Sequence, residues 1–289
     1  RDPLWSRGLG DVYKRQRVVI ALGGNALLKR GEPMTADAQR ANVRKAAAAM
    51  ADLARDHDIV VAHGNGPQVG LLALQAAAYK DVDPYPLDIL GAESVGMIGY
   101  LVEQELTNEM PAGSRIATLL TQIEVDRDDP AFARPEKPIG PVYTQDEALK
   151  AKQAHGWPMV EEAQGRWRRV VPSPLPARIT QIETIRLLVE AGVTVICAGG
   201  GGIPVARDAN GTLHGLEAVI DKDRAACLLA KALGADAFLM LTDVDAVYDA
   251  WGTVDKRPIR KVTPAELNSD VFAAGSMRPK VEAACDFAN

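Results

Sequence analysis

The sequence predicts an α/β fold: a three-layer αβα sandwich with a mostly parallel central sheet and a small protruding lid subdomain. Short β-branched runs alternate with longer helical patterns, and this order is typical of right-handed βαβ units. The strand candidates are near-continuous apolar runs, as expected of parallel strands covered on both faces. One long stretch, rich in proline and charge, fits neither pattern and predicts the lid.

The predicted strands and helices follow in chain order. The strand candidates are residues 17–22, 58–62, 115–120, 193–198 and 237–241. A helix is predicted over residues 37–56, where apolar residues recur at i, i+3 and i+4. Another is predicted to start at Thr180, because Thr180 and Glu183 have the spacing of a capping box, and to stop at Gly192. A third spans about 221–234.

Two segments lie outside this alternation. Residues 1–16 begin without Met and show neither a steady period nor the apolar core of a signal peptide. We interpret them as a non-native leader, followed by one domain over residues 17–289. Residues 126–176 are too long for an ordinary loop. We interpret them as the lid, with a helix at about 145–153 and a hairpin around 166–171.

Composition excludes several classes of function. The formal net charge is −5, and the basic residues are scattered, so a nucleic-acid surface is not expected. No apolar run approaches the ~18 residues of a membrane span. Cys197, Cys227 and Cys285 form no CxxC pair or metal-ligand spacing, which fits a reducing cytoplasm.

Glycine-rich or polar loops follow four of the predicted strands. They begin at Gly23, His63, Gly199 and Thr242. In an open α/β sheet, ligands bind beyond the carboxyl ends of the strands. Glycine lets backbone approach a ligand and leaves N–H groups available to anions. One such loop is equally well a tight turn, but four on one edge favour the binding of phosphate or carboxylate.

The loop after the second strand carries the most chemical information. Pro67 suits the first position of a helix, and the N-terminus of that helix favours a small anion. Asn65 adds a neutral side chain that both donates and accepts hydrogen bonds. His63 allows acid–base chemistry, but a structural histidine is the preferred interpretation.

Phosphate-binding motifs of the common kinds are absent from the sequence. Nothing matches GxxxxGK[ST], and the glycines at 199–202 lack the GxGxxG spacing. A bound nucleotide must be held in another way. Lys222 with Asp223 at a helix start, and Lys280, are the candidates, although either lysine alone is usually a solvated surface residue.

Several motifs together resemble the amino acid kinase family, and within it the carbamate kinases. They span residues 21–284 and read ALGGNALL, AHGNGPQVG, KPIGPVY, CAGGGGIPV, VIDKDRAA, LTDVDAVY and GSMRPKVEAA. HGNGPQVG and KPIGPVY are the most specific of them. Most members of the wider family have a lysine two positions before the first GG. Ala21 stands there in this sequence, a departure that carbamate kinases share.

The resemblance, taken with the loop argument, implies a complete set of site residues. The residues expected to bind the small substrate are Gly23, Gly24, Asn25, Gly64, Asn65, Gly66, Gly200 and Gly201. The expected catalytic residues are Lys137, Lys222, Lys280 and Asp223. The residues expected to bind the nucleotide are Lys222, Thr242, Asp243, Val244, Tyr248, Met277 and Lys280. Lys137 is predicted to replace the cation missing at Ala21 and to be delivered by closure of the lid.

The implied reaction is phosphoryl transfer between ATP and carbamate, which gives ADP and carbamoyl phosphate. Mg²⁺ is expected on the ATP phosphates, and no residue is assigned to it because Mg²⁺ keeps waters and phosphate oxygens as ligands. The resemblance further implies a cytoplasmic homodimer and a place in arginine metabolism. Two alternatives stay open: another kinase of this fold, acting on acetylglutamate, aspartate or UMP, and a non-catalytic sensor of nucleotide or carbamoyl phosphate.

Overall fold

The computed structural model describes residues 15–29, 31–79, 81, 83–242, 244–272 and 277–289. The strands of this part of the chain are β1 Arg17–Leu22, β2 Asp58–His63, β3 Ile116–Thr118, β4 Gln122–Val125, β5 Lys137–Tyr143, β6 Met159–Ala163, β7 Arg166–Val171, β8 Pro176–Ile179, β9 Thr194–Ile196, β10 Ile203–Arg207, β11 Leu213–Gly215, β12 Ala237–Leu241, β13 Val247–Asp249 and β14 Arg257–Ile259. The α-helices are α1 Gly24–Leu27, α2 Ala36–Asp56, α3 Gly66–Ala78, α4 Leu87–Glu109, α5 Gln145–His155, α6 Ile182–Glu190, α7 Lys222–Leu233 and α8 Met277–Ala288.

The central sheet has the strand order β12-β1-β2-β9-β3. Every neighbouring pair in it is parallel, and its strands are the ones that the apolar runs predict. Because the strands run in one direction, their carboxyl ends meet at a single edge of the sheet. The loops that follow β1, β2, β9 and β12 therefore share that edge, as the sequence predicts.

Helices cover both faces of this sheet, which confirms the three-layer architecture. Alternate residues of a strand point to opposite faces, and β1 shows this directly. Ile20 packs in a buried cluster with residues of α2 and α4, such as Met50 and Ile98. Val19 packs in the other cluster, which includes Leu229 of α7. Strand β1 is thus buried from both sides.

Residues 126–176 contain a small antiparallel sheet with the order β5-β7-β6, together with α5. The predicted helix and hairpin of this segment are therefore present. Helix α5 has a full capping box at Thr144 and Glu147, and it ends at Gly156 in the left-handed conformation. The chain also forms a separate four-stranded sheet of order β11-β10-β4-β8, and the sequence analysis does not anticipate it.

One strand of this segment is fixed to the body of the domain by two glycines. A Cβ atom on Gly70 of α3 would lie 1.9 Å from the Cα of Gly140 in β5. Two backbones approach this closely only where neither residue has a side chain. Ile139, next to Gly140, is fully buried. Strand β5 is therefore anchored to α3 rather than suspended in the lid.

The predicted start of α6 at Thr180 is wrong. The helix begins at Ile182, and Gln181 is its N-cap, without a capping side-chain bond. The Thr180 N–H donates to the Gln122 carbonyl, and the Gln181 side chain accepts from the Gln122 N–H. These bonds to Gln122 of β4 hold Thr180 and Gln181 in a turn, so the helix begins two residues later than the capping pattern suggests.

Two further expectations concern the predicted leader at residues 1–16 and the absence of a membrane-spanning segment. Residues 1–14 of the predicted leader lie outside the described residues, as does Asp243. Arg15 donates a hydrogen bond to Asp58 at the start of β2, and the carbonyl of Gln16 accepts from the N–H of Asp58. Within the described part of the chain, no helix combines the length and apolarity needed to cross a bilayer.

Candidate active site

Three chain segments meet at the carboxyl edge of the central sheet. A Cβ atom on Gly64, after β2, would lie 3.6 Å from the backbone nitrogen of Gly24 and 3.2 Å from the Cδ atom of Lys222. The glycine at this position therefore lets the first loop, the second loop and the start of α7 touch. Gly23 is tied to the end of β12, because its N–H donates to the Leu241 carbonyl at 2.9 Å.

Helix α3 presents an uncapped N-terminus at this edge. It starts at Gly66, one residue before the predicted Pro67, with Asn65 at the N-cap position. An N-cap asparagine ordinarily accepts a hydrogen bond from the backbone of the first turn, but Asn65 makes no such bond. The N–H groups and positive dipole of the helix end are thus available to an anion.

His63 is a buried neutral side chain. It has no exposed surface, and burial lowers its pKa to about 4, against the opposing effect of the Gly64 carbonyl. Nδ1 lies 3.1 Å from that carbonyl oxygen. A neutral imidazole in this place packs beside Gly199, where an added Cβ would lie 2.5 Å from Nε2. This geometry supports the structural interpretation of His63.

The glycines after β9 wrap around Asn65 and the approach to α7. Gly200 and Gly201 have φ values of +65° and +90°, which L side chains rarely adopt. A Cβ atom on Gly200 would lie 2.3 Å from Asn65 Nδ2, and one on Gly201 would lie 2.2 Å from the Ile220 carbonyl oxygen. Gly200 therefore contacts Asn65, and the next residue, Gly201, contacts the segment that leads into α7.

Lys137, Lys222 and Lys280 converge on two aspartates, although they lie far apart in sequence. Lys137 Nζ is 2.5 Å from Asp221 Oδ2. Lys222 Nζ and Lys280 Nζ lie 2.5 Å and 2.9 Å from the two carboxylate oxygens of Asp223. We call these five residues the lysine cluster. The structure thus brings together all four residues predicted to be catalytic.

Asp221 is a member of this cluster that the sequence analysis does not name as a site residue. One carboxylate oxygen caps α7 by accepting from the N–H groups of Asp223 and Arg224, and the other accepts from Lys137. Burial raises the pKa of Asp221, but the Lys137 ammonium, the charge of Lys222 and the Arg224 N–H together outweigh it and lower the pKa to about 2. Asp221 is therefore ionised at neutral pH.

Burial acts in the opposite direction on Lys222. It lowers the pKa of this ammonium, and the like charge of Lys280 lowers it further, whereas Asp223 raises it. A buried cation whose charge is incompletely offset gains from an added anion. Lys222 is consequently placed to attract a phosphate group.

The other residues predicted to bind the nucleotide lie on two segments, one that follows β12 and one at the start of α8. Thr242 and Val244 follow β12, whose Leu241 carbonyl holds Gly23. Tyr248 on β13 donates to Asp245 and packs on Trp251, with ring centroids 5.3 Å apart. Met277 begins α8, which carries Lys280 one turn later. Asp243 lies outside the described residues, and so does the side chain of Asn25.

Ser94 is a second residue that the sequence analysis misses. It lies on α4, fully buried, and its Oγ accepts a hydrogen bond from Asn65 Nδ2 at 2.8 Å. The two residues are 29 positions apart in sequence: Asn65 is the N-cap of α3, and Ser94 lies on α4. A serine inside an apolar helix gives no sequence signal for such a pair, so only the fold shows it.

The amino acid kinase family model matches residues 16–289 of the chain. The chain belongs to this family. The match covers the central sheet, the glycine loops at its carboxyl edge and the lysine cluster.

Curated relatives of this amino acid kinase are carbamate kinases. The chain is 56% identical over 275 residues to carbamate kinase of Rhizobium meliloti, with 94% of this chain and 85% of that protein covered. It is 53% identical over 267 residues to carbamate kinase of Escherichia coli K12, with coverage of 92% and 88%. The predicted similarity to carbamate kinases is confirmed, and these relatives support a kinase rather than a sensor.

A solved structure agrees with these relatives. Carbamate kinase from Giardia lamblia bound to AMP-PNP superposes with a TM-score of 0.85 at 41% identity, covering 95% of this chain and 90% of that one. This superposition confirms the predicted fold class. The alternatives that the sequence analysis leaves open, other substrates on the same fold among them, are not favoured by these comparisons.

Proposed function

We propose that the chain transfers a phosphoryl group reversibly between ATP and carbamate. In one direction an oxygen of carbamate attacks the γ-phosphorus of ATP, and the bond from that phosphorus to the β,γ-bridging oxygen breaks. ADP and carbamoyl phosphate are formed. The observation that carries the proposal is the lysine cluster, which brings Lys137, Lys222 and Lys280 to the edge where the glycine loops meet.

The lysines answer the main electrostatic difficulty of this reaction. Both substrates are anions, so their approach is opposed by repulsion and charge develops on the transferring group. Preorganised cations offset that charge without rearranging during the reaction. Before substrates bind, the cluster has three positive and two negative side chains. The excess positive charge and the partial burial of Lys222 and Lys280 favour nucleotide phosphates at this point.

The loops on the other side of the site suit the smaller substrate. The uncapped N-terminus of α3 offers N–H groups and a positive dipole to a carboxylate. Gly24, Gly64 and Gly200 have no side chains that would keep a planar anion of four heavy atoms away from the backbone. Asn65 lies between them as a polar side chain for orientation. We propose that carbamate binds here, facing the lysine cluster.

Mg²⁺ fits this site as an ion carried by the nucleotide. The carboxylates nearest the lysines are already engaged: Asp221 accepts from Lys137 and from backbone N–H groups, and Asp223 accepts from two lysines. When bound, Mg²⁺ supplies positive charge on the phosphates, with phosphate oxygens and water as most of its ligands. The chain's own contribution is to position the lysines around those phosphates.

We propose that residues 126–176 form a lid whose base stays fixed. Lys137 begins β5 and already contacts Asp221, and Gly140 is packed against Gly70. Delivery of Lys137 by closure is therefore not required in this conformation. In this proposal the outer part, α5 with β6 and β7, covers bound substrates and shields labile carbamoyl phosphate from water.

We also propose a cytoplasmic homodimer that acts in arginine metabolism. Helix α4 carries the exposed apolar side chains Ile89, Met97 and Tyr100, which fall on one face at 100° per residue. An exposed apolar stripe of this kind marks a protein–protein interface. The oligomeric state is measured by light scattering at several concentrations, and a monomer throughout would contradict the dimer.

The proposed activity is tested by incubating the protein with carbamoyl phosphate and MgADP and measuring ATP. We expect ATP to form, and no comparable consumption of ATP with acetylglutamate or aspartate. The matched control is Lys222→Ala, which should form ATP much more slowly at equal protein concentration. ATP consumption that depends on acetylglutamate, with none on carbamate, would assign the chain to another kinase of this fold.

A further inference from the structure

The orientation of the Asn65 amide is determined by its neighbours. Ser94 Oγ donates its only proton to the carbonyl of Gly91, one turn earlier on α4, at 2.8 Å. Its oxygen is therefore left to accept, and Asn65 Nδ2 donates to it at 2.8 Å. In the reverse orientation Asn65 Oδ1 would face Ser94 Oγ, and a hydrogen bond between them would require the Ser94 hydroxyl to give up its bond to the Gly91 carbonyl. We call Asn65, Ser94 and the Gly91 carbonyl the amide network.

This network leaves Asn65 Oδ1 as an acceptor beside the glycine loop that follows β9. Among the described residues, no group donates a hydrogen bond to that oxygen, and it does not cap the helix that Asn65 begins. Asn65 is only 5% exposed and Ser94 is fully buried, so the amide has little freedom to find other partners. Gly200 lies against it, and an added Cβ there would be 2.7 Å from Oδ1.

We infer that Asn65 Oδ1 accepts a hydrogen bond from the amino group of the small substrate, and that Ser94 is the positioning residue that keeps Oδ1 turned toward it. The inference rests on the proposed function. Carbamate and carbamoyl phosphate have an N–H donor where acetate and acetyl phosphate have a methyl group of similar size. A site built to accept from such a donor discriminates against the analogue that lacks it, because a polar group is then left unpaired.

The inference gives Ser94 a role that differs from packing. Removal of its hydroxyl lets the Asn65 amide populate both orientations. In the reversed orientation the Nδ2 group faces the amino group of the substrate, and two donors oppose each other. Carbamoyl phosphate then loses its advantage, whereas acetyl phosphate, which has no donor, is affected far less. A purely structural serine would affect both substrates equally.

The test compares carbamoyl phosphate with acetyl phosphate as phosphoryl donors to MgADP. For the wild type we expect a clear preference in kcat/KM for carbamoyl phosphate. Ser94→Ala should reduce that preference by about 10-fold, the value of one hydrogen bond. In Ser94→Cys a thiol, which is a poor acceptor, fills nearly the same space, and the preference should fall by a similar factor. The test can therefore be made even if the alanine variant fails to fold.

Thr107→Ala is the matched control. Thr107 lies on the same helix and its hydroxyl donates to the Glu103 carbonyl at 2.8 Å, but it has no contact with Asn65, so the preference should not change. An unchanged preference in both Ser94 variants, or an equal loss for both substrates, would overturn the inference. A wild type that forms no ATP from carbamoyl phosphate would instead contradict the proposed function.

Discussion

The lysine cluster and the amide network lie at the same edge of the sheet but are held in place by opposite means. In the cluster, charged side chains from three distant parts of the chain are paired with two aspartates, Asp221 and Asp223. In the network, Asn65 and Ser94 carry no formal charge and are oriented by hydrogen bonds between neighbouring helices. The lysine cluster provides positive charge, and the amide network provides a hydrogen-bonding group of fixed orientation.

The difference follows from what burial costs. An unpaired buried charge is destabilising by several kcal/mol, so buried lysines need carboxylates, and each carboxylate then weakens the field that reaches a substrate. A neutral amide costs far less to bury if its hydrogen bonds are made. It is therefore the better group for selecting a substrate, whereas cations are the better groups for stabilising a transferring phosphoryl group.

The largest expected effect comes from breaking the charged region. Lys137→Ala and Lys222→Ala should each lower kcat by ~10²–10³, since each removes one preorganised cation. They should differ in nucleotide binding. Lys222 and Lys280 share Asp223 and are expected to hold the ADP phosphates, whereas Lys137 approaches from β5 through Asp221. Titration with MgADP should therefore show weaker binding in Lys222→Ala and nearly normal binding in Lys137→Ala.

The control for this pair is Lys231→Ala. Lys231 lies on α7 like Lys222, but its ion pair with Asp286 is largely solvent-exposed, and such pairs contribute little. It should keep normal turnover and normal MgADP binding. Near-normal rates in both Lys137→Ala and Lys222→Ala would mean that these lysines are structural, and the assignment of the charged region would be wrong.

A smaller effect is expected from breaking the uncharged region at Gly200. In Gly200→Ala the new Cβ would lie 2.3 Å from Asn65 Nδ2, so the amide must shift. A displacement of ~1 Å at a substrate-orienting group costs up to ~10² in rate. We expect kcat/KM for carbamoyl phosphate to fall by about 10- to 100-fold while MgADP binding is unchanged.

Gly211→Ala separates this effect from backbone strain. Gly211 has a φ of +82° and no atom within 4 Å of an added Cβ. Both variants therefore carry the cost of placing alanine in the left-handed region, about 1–2 kcal/mol, but only Gly200→Ala disturbs Asn65. If both lowered kcat/KM equally, general destabilisation would explain the result and not displacement of the amide.

The sequence predicts the two regions unequally, for a physical reason. The apolar runs and the glycine loops are local patterns, so the central sheet and the edge that carries Gly64 and Gly200 follow from them. Lys222 and Asp223 are adjacent in sequence and begin a helix, which is also a local signal. Their convergence with Lys280 is not local, and the resemblance to a known family is what points to it.

Contacts made between elements account for what the sequence analysis misses. Ser94 gains its role only because α4 packs beside the loop that carries Asn65, and nothing near Ser94 in sequence indicates this. The predicted start of α6 is wrong for the same reason. The pattern at Thr180 is a valid local signal, but pairing with β4 overrides it. Prediction was therefore good within elements and poor where two elements meet.

The smallest expected effect concerns the stability of the charged region and how it depends on pH. Burial raises the pKa of Asp221, but Lys137, Lys222 and the Arg224 N–H together lower it to about 2, against an ordinary value of 3.8. A lowered folded-state pKa contributes stability that is present above about pH 4 and is lost as the pH falls through about 2. The size of this contribution is about 2 kcal/mol.

Asp221→Asn isolates that contribution, because asparagine is as good an N-cap as aspartate and α7 keeps its capping bonds. At pH 7 we expect the variant to be about 2 kcal/mol less stable to urea than the wild type. The difference should shrink between pH 4 and pH 2, since the wild type protonates Asp221 there and the variant has no group to protonate. Urea unfolding of both proteins at pH 7, 4 and 3 measures it. A difference that stayed constant over this range would show that the Lys137–Asp221 pair adds no pH-dependent stability.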